Sequence, residues 1–115
     1  MNRTKVPKDV DIYEVNGPFL FGALHKYEET MRVVARKPKA RIIILQKVPF
    51  LDPSDFYLLE MFCRKCWKDG IKLILLGIQS QPLSVIKKSG LYDSIGPRNI
   101  CENLDEALKR VGGKN

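Results

Sequence analysis

The sequence predicts an α/β fold built on a sheet of four to five strands. Three observations predict it. Residues 41–46 and 71–76 are apolar almost throughout, with no alternation, so both faces of each strand must be covered. Around them lie stretches with apolar residues at three- and four-residue spacing, the period of an amphipathic helix. Gly or Pro closes most of these stretches, so strands and helices alternate along the chain. Such an order implies crossover connections whose helices pack their apolar faces on the sheet.

Residues 1–9 are polar and basic, with Pro7 among them, and read as a lead-in. Residues 10–15 alternate apolar and polar, which fits a strand with one buried face. Asn16-Gly17 is a turn signal, and residues 18–21 then read as a second strand, paired with the first as a hairpin. Pro18 would place that strand at an edge or at its first residue. From Gly22 the period changes. Leu24, Tyr27, Met31 and Val34 define a helix that ends near Pro38.

The strand over 41–46 leads through a loop, residues 47–51, into a helix that opens at Asp52-Pro53-Ser54-Asp55. Asp52 suits the N-cap, and Pro53 suits the first helical position, where its missing donor is not needed. Asp55 is placed to close a capping-box-like pair with Asp52. Phe56, Leu59, Phe62, Cys63 and Cys66 form the buried stripe, and Asp69-Gly70 ends the helix. After the strand over 71–76, Ser80-Gln81-Pro82 opens a short helix closed by Gly90. Residues 91–97 read as a loop with at most one helical turn, and 98–101 as a last short strand. Asn103 and Glu106 make a capping-box-like start to a final helix that Gly112-Gly113 ends.

The loops after Gln46 and Leu76 should emerge on the same edge of the sheet, the carboxyl edge, where open α/β sheets bind ligands and partners. That brings Phe50, Asp52, Ser54 and Asp55 near Gly77, Gln79 and Ser80 as one shallow patch, with Ser54 at the positive end of a helix dipole.

Size and composition set the outer bounds. At 115 residues the chain is one domain, large enough for a core without staples. Its net charge is +7 and its pI about 9.5, so an acidic protein or an anionic surface suits it as a partner. The lysines are scattered, with no compact basic run and interleaved aromatics, which argues against nucleic acid. No apolar run approaches the roughly 18–20 residues needed to span a bilayer, and no signal peptide is visible, so a soluble, cytosolic chain is expected. The three cysteines make no disulfide framework.

Several strings, in order, resemble the STAS domain that follows the membrane part of SulP-type sulfate permeases. Gly17-Pro18-Phe19-Leu20-Phe21-Gly22 is similar to that family's G-P-L-F-F-G signature. Residues 42–52 resemble its strand and V-P-x-L-D loop, with Val48, Pro49 and Asp52 in register. Residues 68–73, Ser89-Gly90-Leu91 and Asn103-Leu104-Asp105-Glu106-Ala107-Leu108 match further strings. The resemblance implies a STAS domain over 10–111 and a tail over 112–115. It also implies a small mixed sheet with helices mainly on one face, and a regulatory, protein-interaction module without catalysis or a required cofactor. Its setting would be the cytoplasmic face of the cell membrane, with residues 1–8 close to the end of a membrane segment. Partners would be the membrane part of the same transporter or a soluble, acidic protein.

The same fold serves anti-sigma factor antagonists, which are switched by phosphorylation of a serine in a D-S-S-G-like motif. Ser54 falls on that position, and a stand-alone antagonist is the alternative reading. Asp55 stands where that motif has Gly, however, and a phosphate on Ser54 would face the carboxylates of Asp52 and Asp55.

Other motifs favour plain structural roles. Cys63-Arg64-Lys65-Cys66 lies about three turns into its helix on the apolar stripe, not at a helix start where a dipole activates a thiol. Only His25 and Cys101 could complete a zinc set, so core packing is expected. His25 shows no catalytic pattern, and Trp67 should cover the helix end. The loop over 77–81 could offer amides to a phosphate, yet it lacks the glycines and lysine of a nucleotide-binding loop.

Overall fold

The computed structural model describes residues 6–17, 20–34 and 37–112. Among these residues four strands, β1 (Val10–Glu14), β2 (Ala40–Ile44), β3 (Lys72–Leu76) and β4 (Ile100–Cys101), form one sheet in the order β1-β2-β3-β4. Every pairing among them is parallel. Among the described residues five helices connect and follow the strands: α1 (Leu20–Val34), α2 (Pro53–Lys68), α3 (Ser80–Ser89), α4 (Leu91–Ile95) and α5 (Leu104–Gly112). A 3-10 turn over Pro97–Asn99 precedes β4.

The hairpin expected from Asn16-Gly17 is not formed. Gly17 does turn the chain, with φ at +92°, but Leu20 and Phe21 then begin α1, and the neighbour of β1 is β2. Pro18 and Phe19 lie outside the described residues. The physical reason is visible in the spacing. Position 20 lies four residues before Leu24, so the helical period of 24, 27 and 31 extends back through the supposed strand.

The unbroken Ile-Ile-Ile run does what its lack of alternation requires. Ile43 and Leu45, with Leu73 and Leu75, face a core built from Leu24 and Tyr27 of α1, Leu59, Phe62, Cys63 and Cys66 of α2, Ile86 of α3, and Leu91 and Ile95 of α4. Ala40, Ile42, Ile74 and Leu76 face the opposite side, where Ala107 and Val111 of α5 cover them. Helices thus lie mainly on one face, as expected, and among the described residues α5 alone covers the other. Burying one such Ile or Leu contributes about 1.5–3 kcal/mol, so a shift of register by one residue would be heavily penalised.

Helix ends follow the local chemistry. Asp69 caps α2 and Gly70 takes φ +74°, while Gly90 takes φ +89° between α3 and α4. At α5, Asn103 Oδ1 accepts from Glu106 N at 2.9 Å. Glu106 reaches back to the amide of Glu102 at 2.8 Å, one residue earlier than a regular capping box uses.

Candidate functional site at the carboxyl rim

The rim is assembled by the start of α2. Asp52 takes extended backbone angles and accepts from Asp55 N at 2.8 Å, while Asp55 accepts from Asp52 N at 3.3 Å. Both halves of the capping box are present, and Pro53 opens the helix. Ser54, at the second helical position, is exposed, and Asp55 is half-buried.

The preceding loop is anchored from below. Val48 and Leu51 are buried in the main core, and Val48 N donates to Leu45 O at 3.0 Å in a tight turn. Anchored on both sides, the loop pushes Phe50 outward, leaving 56% of it exposed.

The loop after β3 is tied to this one. Gln79 Nε2 donates to Gln46 O at 2.8 Å, which explains why Gln79 does not cap α3 with its own side chain. Gln81 accepts from Leu51 N at 2.8 Å and donates to Leu51 O at 3.2 Å. Gly77 has φ +72°, and a Cβ there would sit 3.0 Å from Gln46 Cβ, so the two loops meet at a point that excludes a side chain. Phe50, Asp52, Ser54, Asp55, Gln79 and Ser80 therefore share one rim, as the strand order predicts.

Sequence reasoning missed three residues there. Gln81, not Ser80, closes the two loops together. Tyr57 and Met61 are 60% and 49% exposed and stand four residues apart on α2, extending the apolar surface from the rim down that helix. The available signal was their position: both are apolar yet lie off the buried stripe of Leu59, Phe62, Cys63 and Cys66.

The remaining candidates fall elsewhere. Cys63 and Cys66 are free and wholly buried in the main core, whereas Cys101 belongs to the core under α5. Burial pushes all three thiols above their ordinary range; at Cys66 the nearby Arg41 guanidinium works in the opposite direction. Among the described residues no group of three or more His, Cys, Asp or Glu is placed to hold a metal ion. His25 lies 3.7 Å from Glu29 one turn along α1, with both side chains largely exposed. Trp67 packs, partly buried, against the main core. No helix among the described residues is long and apolar enough to cross a membrane.

Comparison with known proteins settles the family. The STAS domain profile matches residues 3–107. The chain belongs to the STAS domain family. Two solved structures resemble this chain. That of a sulfate transporter family protein from Wolinella succinogenes superposes with a TM-score of 0.83 at 29% identity, covering 95% of this chain and 89% of that one. The SulP transporter STAS domain from Vibrio cholerae gives a TM-score of 0.83 at 28% identity, covering 95% and 85%. A Bacillus subtilis protein named as a sulfate transporter, YvdB, is 32% identical over 98 residues, which is 84% of this chain. The STAS chain spans 18% of the length of YvdB.

Proposed function

We propose that this STAS domain is a regulatory docking module of a SulP-type anion transporter, working at the cytoplasmic face of the cell membrane without catalysing a reaction. The observation that carries it is the rim itself: an exposed apolar line of Phe50, Tyr57 and Met61 beside a doubly tied loop pair. A surface of that kind is pre-organised, so a partner loses little ordering entropy in meeting it. The similarity to transporter STAS domains supplies the context. The membrane part of the same polypeptide is the first partner this suits. A soluble acidic protein is the second, since the chain carries a net charge of +7.

Switching by phosphorylation at Ser54 is the second reading. Its support is the exposure of that hydroxyl at the start of α2. Against it, Asp52 already occupies the Asp55 amide, and the two carboxylates would repel a phosphate of roughly −1.5 to −2 charge.

Coding sequence on either side of this chain, followed by anion uptake with and without it, tests the proposal. Membrane spans in the same polypeptide and altered uptake on removal support it. A polypeptide without spans, together with stoichiometric modification of Ser54 by a cognate kinase, would favour the second reading.

A further inference from the structure

At the opposite rim of the sheet lies a cleft that the proposed docking does not use. Arg41 opens the inward-facing side of β2 and is 7% exposed, the one charged residue in the described core. Its guanidinium carbon lies 5.3 Å from the Tyr27 ring centre and 6.0 Å from that of Phe62, and Nη1 donates to Cys66 Sγ at 3.5 Å. Among the described residues no carboxylate lies within ion-pair distance of it. Its Nε is buried with no hydrogen-bond partner. An unpaired buried donor on a charged group carries a large desolvation cost, so a partner is owed to it.

A second orphan stands in the same place. Glu28 Oε2, on α1, is also buried without a partner. Both residues line a cleft of about 380 Å³, together with Arg32, Lys37, Lys65 and Asp69. Lys65 is engaged with Asp69 at 3.4 Å and Arg32 with Glu29 at 3.3 Å, whereas Lys37 has no acidic partner among the described residues. The cleft is cationic overall, with four basic residues against two acidic ones in its lining.

These two orphans make opposite demands. Arg41 Nε–H needs an acceptor, and the Glu28 carboxylate needs a donor. We propose that the cleft binds a small oxyanion carrying its own O–H, the class of hydrogen phosphate and hydrogen carbonate. One oxygen accepts from Arg41, the anion's hydroxyl donates to Glu28, and Lys37 supplies the remaining charge. An anion with no proton, such as sulfate or chloride, would meet the Glu28 lone pairs with its own, so the site rejects it. Because both orphan atoms sit within the wall, entry requires a side-chain rotation at its mouth, where Lys37 is exposed. The site is separate from the carboxyl rim, and its test does not depend on docking.

The test is a titration of the 115-residue chain, followed by NMR of the Arg41 Nε–H, at constant ionic strength and neutral pH. Inorganic phosphate should shift that signal saturably and at least about tenfold more tightly than sulfate. A parallel hydrogen carbonate titration ranks the two members of the class, and saturable binding of either supports the site. Glu28→Gln should bring sulfate and phosphate to near parity, and Lys37→Gln, at an exposed position, should weaken phosphate without unfolding the chain. Lys47→Gln, at the far rim, should change neither. Equal affinity for sulfate and phosphate in the unsubstituted chain would overturn the proposal. So would an Arg41 signal that no anion moves, which would leave a trapped water or a direct pairing with Glu28 as the partner of both atoms.

Discussion

The side-chain amide of Gln81 satisfies both backbone polar groups of Leu51, accepting from its N–H at 2.8 Å and donating to its carbonyl at 3.2 Å. This one residue fastens the start of α3 to the loop that presents Phe50 and Asp52. Gln81→Ala should cost about 1–3 kcal/mol, because it leaves two partly buried backbone groups unpaired. Gln81→Glu keeps the acceptor and loses the donor, and should fall between. Urea unfolding measures both, and the Leu51 amide should exchange faster with solvent in Gln81→Ala, which alone removes its acceptor.

Asp52 holds the first turn of α2, so Asp52→Ala should destabilise by about 0.5–2 kcal/mol while Asp52→Asn stays within a few tenths. Asp55→Ala removes only the weaker 3.3 Å half of the capping box and should cost less than Asp52→Ala. Thermal unfolding of the three variants checks the order.

Gly77 should not tolerate a side chain. With φ at +72° and a Cβ position 3.0 Å from Gln46 Cβ, Gly77→Ala combines backbone strain with a clash. About 1–3 kcal/mol of stability should be lost, and the Gln79–Gln46 hydrogen bond should loosen. A neutral Gly77→Ala in urea unfolding would contradict this geometry.

Stability should fall in alkaline solution. Burial raises the Cys63 and Cys66 thiols above the ordinary 9.0, and raises the Tyr27 hydroxyl above its ordinary 10.0. Each group holds its proton more tightly folded than unfolded. Their contribution is therefore complete below about pH 9 and is lost as the pH climbs towards the folded values, since the unfolded chain releases its protons first. Urea midpoints between pH 7 and pH 10.5 should decline only in the upper part of that range, and replacing both cysteines with Ala should shallow the decline. The same burial predicts that Cys63 and Cys66 react slowly with thiol reagents until the chain unfolds.

How far the fold could be foreseen differs by element. The buried strands, the α2 cap and the α5 start were legible because each rests on local chemistry: an apolar run, Asp52 with Pro53, Asn103 with Glu106. The start of α1 was not, because Asn16-Gly17 and the apolar residues after it satisfy a hairpin rule and a helix rule equally. Only the parallel partner supplied by β2 decides between them. At the rim, Asp52, Ser54 and Asp55 could be placed from strand order. The tie made by Gln81 and the exposure of Tyr57 and Met61 could not, since both depend on which side chains the neighbouring loop leaves uncovered. In the sequence Arg41 reads only as the first residue of a strand, and nothing in its neighbours marks it as a buried cation.

The most direct measurement is anion uptake by the full-length polypeptide carrying Phe50→Ser and Tyr57→Ser, alongside urea unfolding of the 115-residue chain with the same changes. Both side chains are more than half exposed, so unfolding should move by no more than about 0.5 kcal/mol each. Uptake or its regulation should nevertheless change several-fold. Unchanged uptake from a normally folded double variant would contradict the assignment of the carboxyl rim as the docking surface.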